Sequence, residues 1–309
     1  VRKGRAVSAP SPAWPLTSLA SSPGAVLEAV AAKSDRIGCF GNKPVVFRGL
    51  CASWPACCWD VAAVSAAMPN IRVSLSTSGT FPTDGDRECP SDTMCSHAFF
   101  RQLHMSPPHL YCHGNVLPDT LMRDIPLPPL LHGCDVARRS IWISATGAIS
   151  PLHYDLPNVL LCQVQGRKAV HLFPPALHDE LAPPAGTFPA LDARERIAST
   201  RRTDIKSSRG LYVEIGRGDA LFMPPGWWHE IASFAGERHV LDPCSTGACV
   251  SIGLNWPAVG EAISLLAPWK DCTKYPILTQ GDVLSKHYGP ERARREMAAQ
   301  VPGWNYPVF

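Results

Sequence analysis

From residue 140 onward, short apolar runs alternate with breaks that contain Gly or Pro. Residues 141–145, 159–164, 169–173, 211–215, 220–223 and 249–255 each predict a strand, being short, β-rich and bounded by turn formers. Gln165-Gly166-Arg167 falls between two of these runs and predicts a tight hairpin. Strands this short and this closely spaced predict a mainly β protein with flanking helices, built as a double-sheet barrel of the jelly-roll kind. Ahead of them, residues 43–49 and 71–75 predict strands, 109–112 a short strand, and 25–33 and 98–103 helices, with a long loop over 76–92. Beyond Pro257 the period turns helical, over 259–266 and 291–300. The organisation expected is a flexible leader (1–23), a mixed α/β region packing on the barrel (24–139), the barrel core (140–257) with an insertion at 177–210, and a helical C-terminal segment (258–309). The insertion is too long for a simple turn. No internal repeat is present.

Composition narrows the class. A chain of 309 residues, 45% hydrophobic and 18% charged, is long enough for one large core and excludes a coiled coil or a disulfide-stapled miniprotein. Proline makes up 31 residues, about twice the usual share of about 5%, which disfavours a helical bundle. The net charge of +3 is too mild to imply nucleic acid by itself. No apolar run approaches the roughly 20 residues that span a bilayer, so no membrane partner is expected. The twelve cysteines, with no secretory signal visible, are expected as mostly reduced, buried thiols of an intracellular protein, cytoplasmic, nuclear or organellar.

Chemistry concentrates in two places. In His153-Tyr154-Asp155, expected just after an apolar strand and at a strand edge, alternation puts the imidazole and the carboxylate on one side and the phenol on the other. His229 closes the segment Gly218-Asp219…Pro224-Pro225-Gly226-Trp227-Trp228-His229, a turn–strand–turn that delivers it to a barrel mouth, although a packed aromatic corner would look the same. Two imidazoles and one carboxylate on one face of an octahedron leave positions open, as non-haem Fe(II) chemistry with O₂ requires, whereas a structural zinc site wants four ligands. A lone His-x-Asp is weak, since an ordinary surface or core histidine is its usual explanation. Lys168 adds weight. Thirteen residues after Asp155, it is expected on a strand folded back beside the Asp155 strand, where an ammonium in the barrel can bind a carboxylate.

These segments, with Gln163-Val164-Gln165-Gly166-Arg167-Lys168…Leu172-Phe173-Pro174-Pro175, resemble the Jumonji-C, or cupin-like, 2-oxoglutarate oxygenases. Lys43-Pro44-Val45-Val46-Phe47-Arg48-Gly49-Leu50 with Trp54-Pro55 resembles that family's N-terminal signature. The resemblance covers residues 40–260, and within the superfamily the chain is similar to the small hydroxylases acting on hypoxia-inducible factor asparagine or on wybutosine-type tRNA bases. It implies a double-stranded β-helix (cupin/JmjC barrel) with Fe(II), 2-oxoglutarate and O₂ as cofactor and cosubstrates. His153, Asp155 and His229 would be the iron ligands and Lys168 the partner of the distal carboxylate. Tyr111, Ser150 and Asn255 match further cosubstrate contacts, while Asn158 lies one residue closer to the aspartate than the family's usual asparagine. Residues 242–249 look like an insertion.

The implied activity is hydroxylation of a protein side chain or an RNA base, with a protein or tRNA/RNA partner. The alternatives are an inactive cupin-like scaffold, a JmjC lysine demethylase, or a cupin isomerase or dioxygenase that uses no 2-oxo acid. The basic residues Arg194, Arg196, Arg201, Arg202, Lys206 and Arg209, and Arg292, Arg294 and Arg295, offer charge for phosphates but are expected to be solvated loop and helix charges. The C-terminal helices offer a homodimer contact or a cap on the barrel.

Overall fold

The computed structural model describes residues 27–30, 43–77, 79–81, 91–103, 110–136, 138–155, 157–174, 210–236 and 247–256. The leader, both basic stretches, Cys244 and the C-terminal segment lie outside the described residues. In chain order the strands are β1 (Leu27–Val30), β2 (Val45–Arg48), β3 (Asn70–Leu75), β4 (Ser91–Cys95), β5 (Leu110–Val116), β6 (Arg138–Ser144) and β7 (Ile149–Tyr154). They continue as β8 (Asn158–Gln165), β9 (Arg167–Phe173), β10 (Leu211–Gly216), β11 (Ala220–Met223), β12 (Trp228–Phe234) and β13 (Cys249–Trp256). Three α-helices intervene among the described residues: α1 (Val61–Ala67), α2 (Ser96–Gln102) and α3 (Asp119–Met122). None of these is long and apolar enough to cross a membrane.

The strands form two sheets, one of nine in the order β1-β2-β11-β8-β13-β6-β5-β3-β4 and one of four in the order β10-β9-β12-β7. Alternation along β13 shows how the layers arise. Val250, Ile252, Leu254 and Trp256 join a core on the outer face of the large sheet, beneath Val64 of α1, Phe99 and Phe100 of α2 and Leu121 of α3. Ser251, Gly253 and Asn255 turn to the inner face. A second core fills one side of the space between the sheets, where Val159, Leu161, Leu221 and Met223 meet Val170, Leu172, Val213, Ile215 and Ile231. Each such side chain contributes about 1.5–3 kcal/mol when fully buried. The barrel is thus closed by apolar packing along one side and is polar along the other.

Four expectations need correction. Within the helix expected over 25–33, the described residues Leu27–Val30 form the strand β1 instead, parallel to β2, because pairing along a free sheet edge outweighs local helix propensity. The loop over 76–92 ends sooner, since Ser91 and Asp92 pair with β3. The hairpin at Gln165-Gly166-Arg167 is a corner between sheets: β8 pairs with β11 and β13, and β9 with β10 and β12. Gly166 turns there at φ +70°, and a Cβ on it would lie 2.4 Å from the Phe234 carbonyl oxygen. As a consequence Lys168 stands next to the His229 strand rather than the Asp155 strand, opposite Ser233. Finally, His153 lies within a strand, not after one. β7 runs through Pro151, tolerated because β7 is a sheet edge.

Candidate metal centre

β7 and β12 run antiparallel with His229 directly opposite His153, which sets the two rings side by side, centroids 4.2 Å apart. Asp155 follows on the same face. Tyr154 takes the other, edge-on to Trp228 at 4.6 Å. The ligand atoms of His153, Asp155 and His229 all lie within 4.8 Å of one another, with His229 Nε2 at 3.6 Å from Asp155 Oδ2. His229 Nδ1 is 2.9 Å from the Trp227 carbonyl. A carbonyl can only accept, so Nδ1 carries the proton and Nε2 keeps its lone pair toward the carboxylate. Burial first, and then His153, push the His229 imidazole down to about 4, so it is neutral at physiological pH. Two imidazole nitrogens and a carboxylate oxygen suit a divalent first-row metal, and the donor set fits Fe(II).

A bulge brings Ser150 to the same face. Between the pairs His229↔His153 and Ile231↔Ser150, β12 advances two residues and β7 three. The extra residue shifts the alternation, so a serine three positions before His153 points inward with it. Ser150 is buried there.

Lys168 enters from β9. Its side chain is 2% exposed, and its Nζ lies 3.5 Å from the Tyr111 hydroxyl. No carboxylate among the described residues pairs with it. Tyr111 is fixed by Phe81 edge-on at 5.2 Å and by His113 stacked at 5.4 Å. Ser144, opposite Tyr111 in the β5–β6 ladder, has a buried hydroxyl without a hydrogen-bond partner. This end of the cavity therefore offers an ammonium and two hydroxyls to an anion.

Asn255 lies on the inner face of β13 opposite Val159, and its buried Oδ1 also lacks a hydrogen-bond partner. Asn158 is not brought to the cavity. It pairs with Trp256, whose ring stacks on Phe222 in the outer core, so the register turns the amide away. Two inner-face residues, His113 and Ser144, escaped the sequence reading. Alternation from Tyr111 was the available signal for His113. Its imidazole is pushed down to about 4 by burial and then by His153, Lys168, Arg72 and Arg138. The eight described cysteines are free thiols.

A β-barrel that presents two histidines and one carboxylate side by side, with a buried lysine beyond them, has the layout of a cupin fold with a candidate metal site. The cupin-like domain family matches residues 36–260, and the chain belongs to that family. It is similar to Jumonji C domain-containing protein 5 of Drosophila melanogaster, 37% identical over 97 residues, 30% of this chain and 24% of that protein. Lysine-specific demethylase JMJ31 of Arabidopsis thaliana is 30% identical over 124 residues, 38% of this chain and 23% of the relative. HSPB1-associated protein 1 of Rattus norvegicus is 25% identical over 226 residues, 62% of this chain and 46% of the relative. The chain thus spans less than half the length of each of these three proteins.

Proposed function

We propose that the chain is an Fe(II)- and 2-oxoglutarate-dependent oxygenase that hydroxylates a protein side chain or an RNA base. The observation that carries this reading is the buried ammonium of Lys168 beyond the triad, which no carboxylate among the described residues pairs with. A cupin site that used no 2-oxo acid would have no purpose for it, and an uncompensated buried charge is costly. His153, Asp155 and His229 would hold the metal. Bound there with 2-oxoglutarate and O₂, iron supplies oxidative decarboxylation to succinate and CO₂ together with insertion of one oxygen atom into a C–H bond. Lys168 and the Tyr111 hydroxyl bind the distal carboxylate of the cosubstrate, with Ser150 and Asn255 as further contacts. The apolar side of the barrel excludes water from the opposite flank.

The motif likeness to the small protein and tRNA hydroxylases supports hydroxylation as the outcome. Demethylation would use the same oxygen insertion at an N-methyl group. Succinate release from 2-oxoglutarate, with and without Fe(II), is the test. Iron-dependent release supports the proposal, bound iron without turnover supports a scaffold, and turnover that ignores 2-oxoglutarate supports a different cupin chemistry. Mass spectrometry of lysate peptides and RNA nucleosides after incubation then identifies the substrate class.

A further inference from the structure

Ile141 and Ile143 of β6 join the outer core, so alternation turns Ser144 to the inner face of the large sheet. There it stands between Tyr111 of β5 and Cys249 of β13, each directly opposite it in its ladder. The residue is 0% exposed, and its hydroxyl has no hydrogen-bond partner. A buried hydroxyl left in that state is costly, so its presence calls for an explanation.

The polar groups on the β13 side are committed to one another. Ser251 donates to Gln163 Oε1 at 2.7 Å, and Gln163 Nε2 donates to the Gln165 carbonyl at 2.6 Å. The Cys249 thiol donates to the Arg167 carbonyl at 3.5 Å. This network is closed on itself and leaves Ser144 out. On the β5 side, one of the three ammonium donors of Lys168 goes to the Tyr111 oxygen at 3.5 Å, so the phenol proton remains to be given. The other ammonium donors, the Tyr111 O–H and the Ser144 O–H thus have a common need, an acceptor with several lone pairs. A carboxylate presents about four such sites and no donor.

We propose that Ser144 binds the distal carboxylate of the 2-oxo acid, as a third donor group beside Lys168 and Tyr111. The inference rests on the oxygenase reading above. The motif likeness assigns Ser144 no role; its place in the ladder opposite Tyr111 and its orphaned hydroxyl do. Bound there, the carboxylate satisfies a hydroxyl that the protein itself leaves without a partner.

Three readouts test it on the full chain, with Ser251→Ala as the contrast. In anaerobic calorimetry with Mn(II), Ser144→Ala is expected to bind 2-oxoglutarate about fivefold more weakly than wild type. The metal-free Ser144→Ala protein should nevertheless unfold at an equal or higher urea midpoint, since it has no protein hydrogen bond to lose. Ser251→Ala, which breaks the closed network, should do the reverse, with a lower midpoint and unchanged affinity. With Zn(II) as a diamagnetic stand-in and 2-oxoglutarate labelled with ¹³C at both carboxyls, Ser144→Ala should move the bound C5 resonance and leave C1 in place. A Ser144→Ala protein that binds 2-oxoglutarate as tightly as wild type, that is less stable than wild type, or that shifts C1 as much as C5 overturns this inference and leaves the oxygenase reading intact. Wild-type protein that binds no 2-oxoglutarate with Mn(II) overturns both.

Discussion

Replacing Lys168 with Met separates a functional ammonium from a structural one, because the two roles predict effects of opposite sign. The side chain is 2% exposed, and the Tyr111 hydroxyl at 3.5 Å is its hydrogen-bond partner. Holding a charge there costs several kcal/mol, which one neutral hydroxyl does not offset. Methionine keeps nearly the same length and removes the charge, so the metal-free protein should gain about 1–4 kcal/mol in urea unfolding. Cosubstrate binding should move the other way. Truncating one partner of a buried, hydrogen-bonded charge pair costs about 2–5 kcal/mol, or about thirtyfold to several thousandfold in affinity. Anaerobic calorimetry with 2-oxoglutarate and Mn(II) measures this directly. Tyr111→Phe, which deletes one hydroxyl, should lose only about two- to tenfold. A Lys168→Met protein that is less stable than wild type yet binds 2-oxoglutarate equally well would refute the reasoning, since it would make Lys168 a scaffold residue.

Asp155→Ala should weaken Mn(II) binding by more than the about 10–100-fold that loss of a mere second-sphere partner costs, as read by titration calorimetry. Stability of the metal-free protein should fall as the pH drops from 6.5 toward 4. His113, His171 and His229 are each pushed from the ordinary 6.5 down to about 4, in each case first by burial. In that window the unfolded chain takes up protons that the folded protein refuses, so stability is full above the unfolded value and is lost with acid. The ceiling is about 3 kcal/mol per histidine, and urea midpoints between pH 7 and 5 measure it. Gly166→Ala should cost at least about 2 kcal/mol in thermal unfolding, because it adds strain at positive φ to a collision with the Phe234 carbonyl.

The spacing of residues around the site was informative for simple physical reasons. His153 and Asp155 share a face because side chains alternate along an extended chain, and the Gly-Asp turn ahead of β11 punctuates the sequence strongly. What stayed hidden depended on partners remote in sequence. The strand through Pro151 is possible only because β7 is an edge, which composition does not reveal. Ser150 shares a face with His153 through a bulge, and local alternation alone would turn it outward. The corner at Gly166 looks like a hairpin until the ladders on either side are known. Ser144 acquires meaning only when Tyr111 is placed opposite it.

The most direct measurement is an anaerobic calorimetric titration of 2-oxoglutarate into the wild-type protein and into Asp155→Ala, with and without Mn(II). One equivalent should bind to the wild type only when Mn(II) is present, and Asp155→Ala should show none at the same metal concentration. Binding of the same strength with the metal omitted, or none to the metal-loaded wild type, would contradict a shared site for the ion and the 2-oxo acid.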